Sequence, residues 1–140
     1  MDFNLTTEQK ELRERARELA CGPIAERAAE VDRSERYPWE NVSDLVDAGF
    51  FGMTIPRSLG GLGASYLDAV LVIEEMAKAC GVTGRIAVEA NMGAISAIIT
   101  YGSGDQKRLA AELVLGGDKP AICITEPTAG SAATDMVTRA

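Results

Sequence analysis

A mainly α-helical bundle, followed by the first strand and turn of a β unit, is the fold this sequence predicts, and three observations carry that reading. Apolar residues recur at spacings of three and four through most of the first 118 positions, with charged residues filling the gaps. Cap residues and glycines cut this pattern into pieces of helical length. After Asp118 the texture changes to a short β-type run, which Pro127 and Gly130 turn. Residues 1–118 are therefore expected to form one α-helical domain, and residues 119–140 the truncated start of a β domain.

The first helix is expected over residues 6–33, where Leu12, Ala16, Leu19, Ala20, Ile24, Ala28 and Val31 make one apolar stripe, with a kink or split at Pro23. Thr6 and Gln9 have capping-box spacing, in which hydroxyl and amide side chains satisfy backbone donors left free at a helix start. A second helix starts at Pro38, carries Trp39, Val42, Leu45 and Val46 on one face, and stops at Gly49. Residues 50–65 mix Phe50 and Phe51 with Pro56, Gly60, Gly61 and Gly63 and read as a packed, irregular loop. Ser65 caps a helix over residues 66–80, the glycines at 81 and 84 break it, and residues 86–101 form a helix apolar on nearly every side, suited to the middle of a bundle. Ser103 caps a last helix, residues 105–115, which ends at Gly116 and Gly117. The strand expected at residues 120–125 cannot stand alone, because its backbone groups need partners. The chain is therefore expected to stop just inside a second domain.

The chain of 140 residues is long enough to bury about two thirds of the surface it exposes when unfolded. A net charge of −7 with scattered Lys and Arg argues against a nucleic-acid surface. Cys21, Cys80 and Cys123 are widely spaced and odd in number, so no zinc or disulfide framework is indicated, and they read as small buried hydrophobes. The charged N-terminus excludes a secretory core, and no run reaches the ~18 apolar residues of a membrane span. A cytoplasmic location is expected.

Among the chemical constellations, Gly60, Gly61 and Gly63 would make a dinucleotide fingerprint only with a glycine at Tyr66 and a preceding strand, so a structural turn is expected. Glu74 and Glu75 are adjacent carboxylates, but a chain without histidine cannot build a Glu-x-x-His di-iron site or a nucleophile with an imidazole base. Glu74 lies four residues before Lys78, the spacing of a surface ion pair. Arg85, at the entry to the apolar helix, has two readings: a helix-end arginine turned to solvent, or a guanidinium fork for a carboxylate or sulfinate. Residues 122–131 likewise read as a plain connection or as a ligand-lining loop, in which Thr125 and Ser131 supply hydroxyls and small residues leave backbone amides open to a planar ligand.

TEPTAGS, from Thr125 to Ser131, resembles the T/S-E-P-x-x-G-S motif of acyl-CoA dehydrogenases. IPRSLGGLGASYLDAVLVIEEMAKAC is similar to that family's loop and helix after its second N-terminal helix, and YGSGDQKRLAAELVLGGDKPAICITEP to its last N-terminal helix and the entry to its middle β domain. The resemblance covers essentially the whole chain as the front part of such an enzyme. It implies FAD and an acyl-CoA thioester enclosed by a helical N-terminal domain, a middle β domain and a C-terminal bundle, with α,β-dehydrogenation as the reaction. It further implies that Ile122, Cys123, Ile124, Thr125, Gly130 and Ser131 line FAD and that Ser131 also meets the CoA portion. The Asp that usually follows the Ser is Ala132 here, with Asp135 three residues on.

YPWENVSDLVDAGFFGM, VIEEMAKACG and Arg85 resemble the branch that desulfinates 3-sulfinopropanoyl-CoA, where an arginine at this place recognises the sulfinate. The carboxylate that separates dehydrogenases from desulfinases is expected beyond Ala140. A homotetramer is implied by the family. The alternative from another class is a non-catalytic helical module that pairs with a chain supplying the missing domains.

Overall fold

The computed structural model describes residues 4–139. Its seven α-helices are α1 (Thr7–Leu19), α2 (Ala25–Ser34), α3 (Trp39–Asp47), α4 (Tyr66–Ala79), α5 (Gly81–Asn91), α6 (Ala94–Tyr101) and α7 (Gly104–Leu115). Three of them begin with the same chemistry. Thr6 with Gln9, Ser65 with Asp68, and Ser103 with Gln106 each form a reciprocal capping box that satisfies two free donors.

Between α1 and α2 the chain passes through a five-residue π-turn, Ala20–Ile24. Pro23 removes an amide donor there and Gly22 leaves helical geometry, which is the physical content of the expected kink. The α3 helix follows Pro38 as expected, and Val42 and Leu45 are buried. Trp39 is not on that inner face: it is 62% exposed and meets Tyr37 edge-on at 4.6 Å. It is the first residue of α3, one turn before the buried Val42.

Residues 50–65 form the packed loop that their composition predicts. Phe50, Phe51, Met53 and Ile55 are all buried in the main core with Val72, Met76, Ile86 and Val114. The glycine cluster is structural, since a Cβ on Gly61 would lie 2.1 Å from the Ile55 carbonyl oxygen. Asn91 ties this loop to the end of α5. Its amide oxygen accepts the Met53 N–H at 2.6 Å, and its amide nitrogen donates to the carbonyls of Phe50 and Ala87, each at 2.9 Å.

The break between α4 and α5 falls at Cys80, whose backbone is extended, one residue before the expected glycines; Gly81 opens α5 and Gly84 lies within it. A Cβ on Gly84 would meet the Ala77 Cβ at 2.6 Å, so this glycine lets α4 and α5 approach where any side chain would hold them apart. The apolar run 86–101 is two helices rather than one, broken at Gly93, whose φ of 65° is left-handed. The stretch Gly81–Tyr101 has the length and composition to cross a membrane, yet 44% of its apolar window is buried inside the bundle. Here it serves as a core element.

After Asp118 the expected strand is absent among the described residues. Residues 120–125 have no ladder partner, and only an isolated antiparallel bridge forms, between Glu126 and Ala129. A strand is defined by its neighbours' hydrogen bonds, and this chain holds none for it. Of the cysteines only Cys80 is buried; Cys21 lies on the π-turn and Cys123 on the unpaired run, and both are exposed.

Candidate functional site

Arg85 and residues 122–131, which the sequence sets apart separately, lie in different places: Arg85 on α5, and Ile122 against Gly93 beyond the end of that helix. Arg85 sits on the second turn of α5 and forms an ion pair with Glu89, one turn on. Its side chain is 73% exposed and that of Glu89 14%, so a solvent-facing guanidinium lies over a largely covered carboxylate. Both earlier readings of Arg85 are thereby refined: it faces solvent, and its charge is compensated from within its own helix. The helix ends at Asn91, Met92 is extended, and the chain breaks at Gly93. There Ile122 closes on the backbone, with its Cδ1 3.2 Å from where a Gly93 Cβ would stand.

The segment itself is open. Ile122, Cys123, Ile124, Thr125, Gly130 and Ser131 are all exposed. Among the described residues no backbone hydrogen bond engages residues 121–125. Gly130 has ordinary φ and empty space where a Cβ would point, so nothing inside the chain requires glycine at that position. Free backbone donors beside a glycine with open space suit a planar ligand that carries ring acceptors, so the residues present fit a flavin. Where the motif's usual Asp is Ala132, the main chain makes a short 3-10 turn, Ala133–Asp135, and the Asp135 N–H donates to the Ala132 carbonyl at 2.9 Å.

A separate charged cluster supports the scaffold. Glu75, on α4, is buried, and its carboxylate takes Lys78 Nζ at 3.0 Å and Arg17 Nε of α1 at 3.4 Å. Burial pushes its pKa up, but hydrogen bonds from Lys78 and Arg17 outweigh this and leave it below the usual carboxylate value. Glu74 makes the surface pair with Lys78 that its spacing predicts, at 2.9 Å. Sequence spacing could not single out Glu75, because Arg17 reaches it from a distant helix. An apolar groove of about 600 Å³ lies between α6 and α7, lined by Tyr101, Leu109 and Leu113, and reaches Pro120. Its lining is mostly apolar, with Gln106, Asp118 and Lys119 as its polar members.

Residues 6–117 match the family profile described as acyl-CoA dehydrogenase, N-terminal domain. The chain belongs to the acyl-CoA dehydrogenase family. It is 63% identical to a 3-sulfinopropanoyl-CoA desulfinase of Variovorax paradoxus over 99% of this chain and 35% of that protein. Identity to a short-chain specific acyl-CoA dehydrogenase of Clostridium acetobutylicum is 37%, over 94% of this chain and 35% of that protein. The structure of a glutaryl-coenzyme A dehydrogenase in complex with glutaryl-CoA superimposes with a TM-score of 0.87 at 31% identity, covering 97% of this chain and 35% of the other. The chain thus spans about a third of the length of the relatives it matches. Its helices correspond to the N-terminal portion of the family fold.

Proposed function

We propose that residues 1–118 form the N-terminal helical domain, and residues 119–140 the entry to the middle β domain, of an FAD-dependent enzyme of this family. We further propose that the complete protein releases sulfite from a 3-sulfinopropanoyl-CoA thioester. The observation that carries this reading is the solvent-facing guanidinium of Arg85 on the second turn of α5. A sulfinate at the far end of an acyl group would meet that guanidinium. A guanidinium fork matches two sulfinate oxygens as it matches a carboxylate. The higher identity to desulfinases than to the short-chain dehydrogenase agrees with it.

In this reading Ile122, Cys123, Ile124, Thr125, Gly130 and Ser131 hold FAD, with Thr125 and neighbouring amides bonding the ring and Ser131 also meeting the CoA portion. When bound, FAD supplies the hydride-accepting ring on which the family's dehydrogenation depends. The residues of this chain orient and bind. Orientation alone is a large share of such catalysis, since it replaces lost translational freedom.

A second reading, α,β-dehydrogenation of an uncharged acyl-CoA, is favoured by one observation. Glu89 already neutralises Arg85, so the face need not receive an anion. The two are separated by assaying the full-length protein with 3-sulfinopropanoyl-CoA and with butyryl-CoA plus an electron acceptor. Bound flavin and sulfite release without acceptor reduction are expected. Acceptor reduction without sulfite selects the dehydrogenase, and a purified protein that neither holds nor takes up flavin removes both.

A further inference from the structure

The open segment needs something to set its path, because no strand ladder holds it. Glu126 sits at the neck. Its main chain exchanges two hydrogen bonds with Ala129: the Glu126 N–H donates to the Ala129 carbonyl at 3.0 Å, and the Ala129 N–H returns at 3.1 Å. This closes a tight turn over Pro127 and Thr128. Its carboxylate then reaches across the loop to the far end, where Oε2 accepts the Val137 N–H at 3.0 Å and Oε1 the Thr138 N–H at 2.8 Å. Ala129, only 1% exposed, lies inside this closure while its neighbours Gly130 and Ser131 remain open.

Both ends of the loop 126–138 are therefore held by one residue. We propose that Glu126 is the positioning residue of the flavin segment: it shapes the backbone from Thr125 to Ser131 so that their donors and hydroxyls present to the ligand. The proposal rests on the reading that residues 122–131 line FAD. The chemistry requires a carboxylate. Two adjacent amides present two donors, and each takes its own carboxylate oxygen; in this two-oxygen geometry an amide side chain would turn its NH₂ toward one of them. The bonds are charge-assisted, which makes them the strong kind. Pro127 adds rigidity but has no N–H to give, so the carboxylate is the longer-range tie.

The test uses the full-length protein with Glu126→Gln, Glu126→Ala and Glu126→Asp. Amide hydrogen exchange without ligand reads the loop, FAD titration of the apoprotein reads affinity, and the visible circular dichroism of bound flavin reads its surroundings. Far-UV melting of the helices serves as control. Glu126→Gln and Glu126→Ala are expected to accelerate exchange over residues 126–138 and to weaken FAD roughly tenfold or more. They should alter the flavin dichroism while the helical melt stays put. Glu126→Asp, which keeps both oxygens, should recover part of the affinity that Gln does not. Unchanged exchange, or FAD binding within twofold of wild type with unaltered dichroism, overturns the proposal. If the wild-type protein takes up no FAD, the cofactor reading falls, and the exchange data alone decide whether Glu126 holds the loop.

Discussion

Arg85 and Glu89 form a pair of opposite exposure, and that asymmetry gives each a different test. In the full-length protein, Arg85→Ala should abolish sulfite release from 3-sulfinopropanoyl-CoA and leave flavin bound, as read by sulfite assay and absorbance. Glu89→Gln removes the anion that competes for the guanidinium, and should lower the KM for the sulfinate substrate several-fold with little change for butyryl-CoA. Glu75 is a stability residue. Replacing it with Gln removes the partner of Arg17 and Lys78 and should cost about 1–3 kcal/mol in chemical denaturation at neutral pH. Because the folded-state pKa of Glu75 lies below its ordinary value, its contribution is full above the ordinary carboxylate range and fades as pH falls through the depressed pKa. The gap between wild type and Glu75→Gln should therefore close on acidification. The candidate ligand positions were legible from the motif, whereas Glu75 and Glu89 were not distinguished from solvated surface charges. Their roles depend on how deeply neighbouring helices cover them.

At the scale of elements, what is local was legible and what is mutual was not. Three capping boxes, the Pro23 kink and the packed loop 50–65 depend on residues within a few positions of one another, and the sequence shows them. The glycines at 81 and 84 read as breakers, and the chain does break at Cys80 just before them, yet Gly84 lies in α5, where close approach to Ala77 on α4 requires it. Gly84→Ala should accordingly destabilise the bundle by about 1–3 kcal/mol despite the better helix propensity of alanine, measured by thermal unfolding. A neutral or stabilising result would mean that α4 and α5 separate at little cost. The break at Gly93 matters for the open segment, since Ile122 packs against it. Periodicity alone joined α5 and α6 into one helix, because both are apolar and only a left-handed φ separates them.

At the scale of the molecule, the chain holds one wall of the proposed site and spans about a third of its relatives. We expect the 140-residue chain alone to fold into the helical bundle but to show no turnover with any acyl-CoA, measured by sulfite release and by acceptor reduction. Turnover by the isolated chain would overturn the reading that it supplies only one wall of the site. The same measurement, joined to the mass of the species in solution, distinguishes an enzyme portion from a helical module that works by pairing. By itself the sequence determined the helical class, the caps that begin the helices and the family motif from Thr125 to Ser131, because each is written in residues close together along the chain. Only the tertiary structure decided that Ile122 packs against Gly93, that Glu89 compensates Arg85, and that the run 120–125 stays unpaired. Those outcomes depend on which distant groups come within hydrogen-bonding or van der Waals reach, and spacing along the sequence carries no record of that.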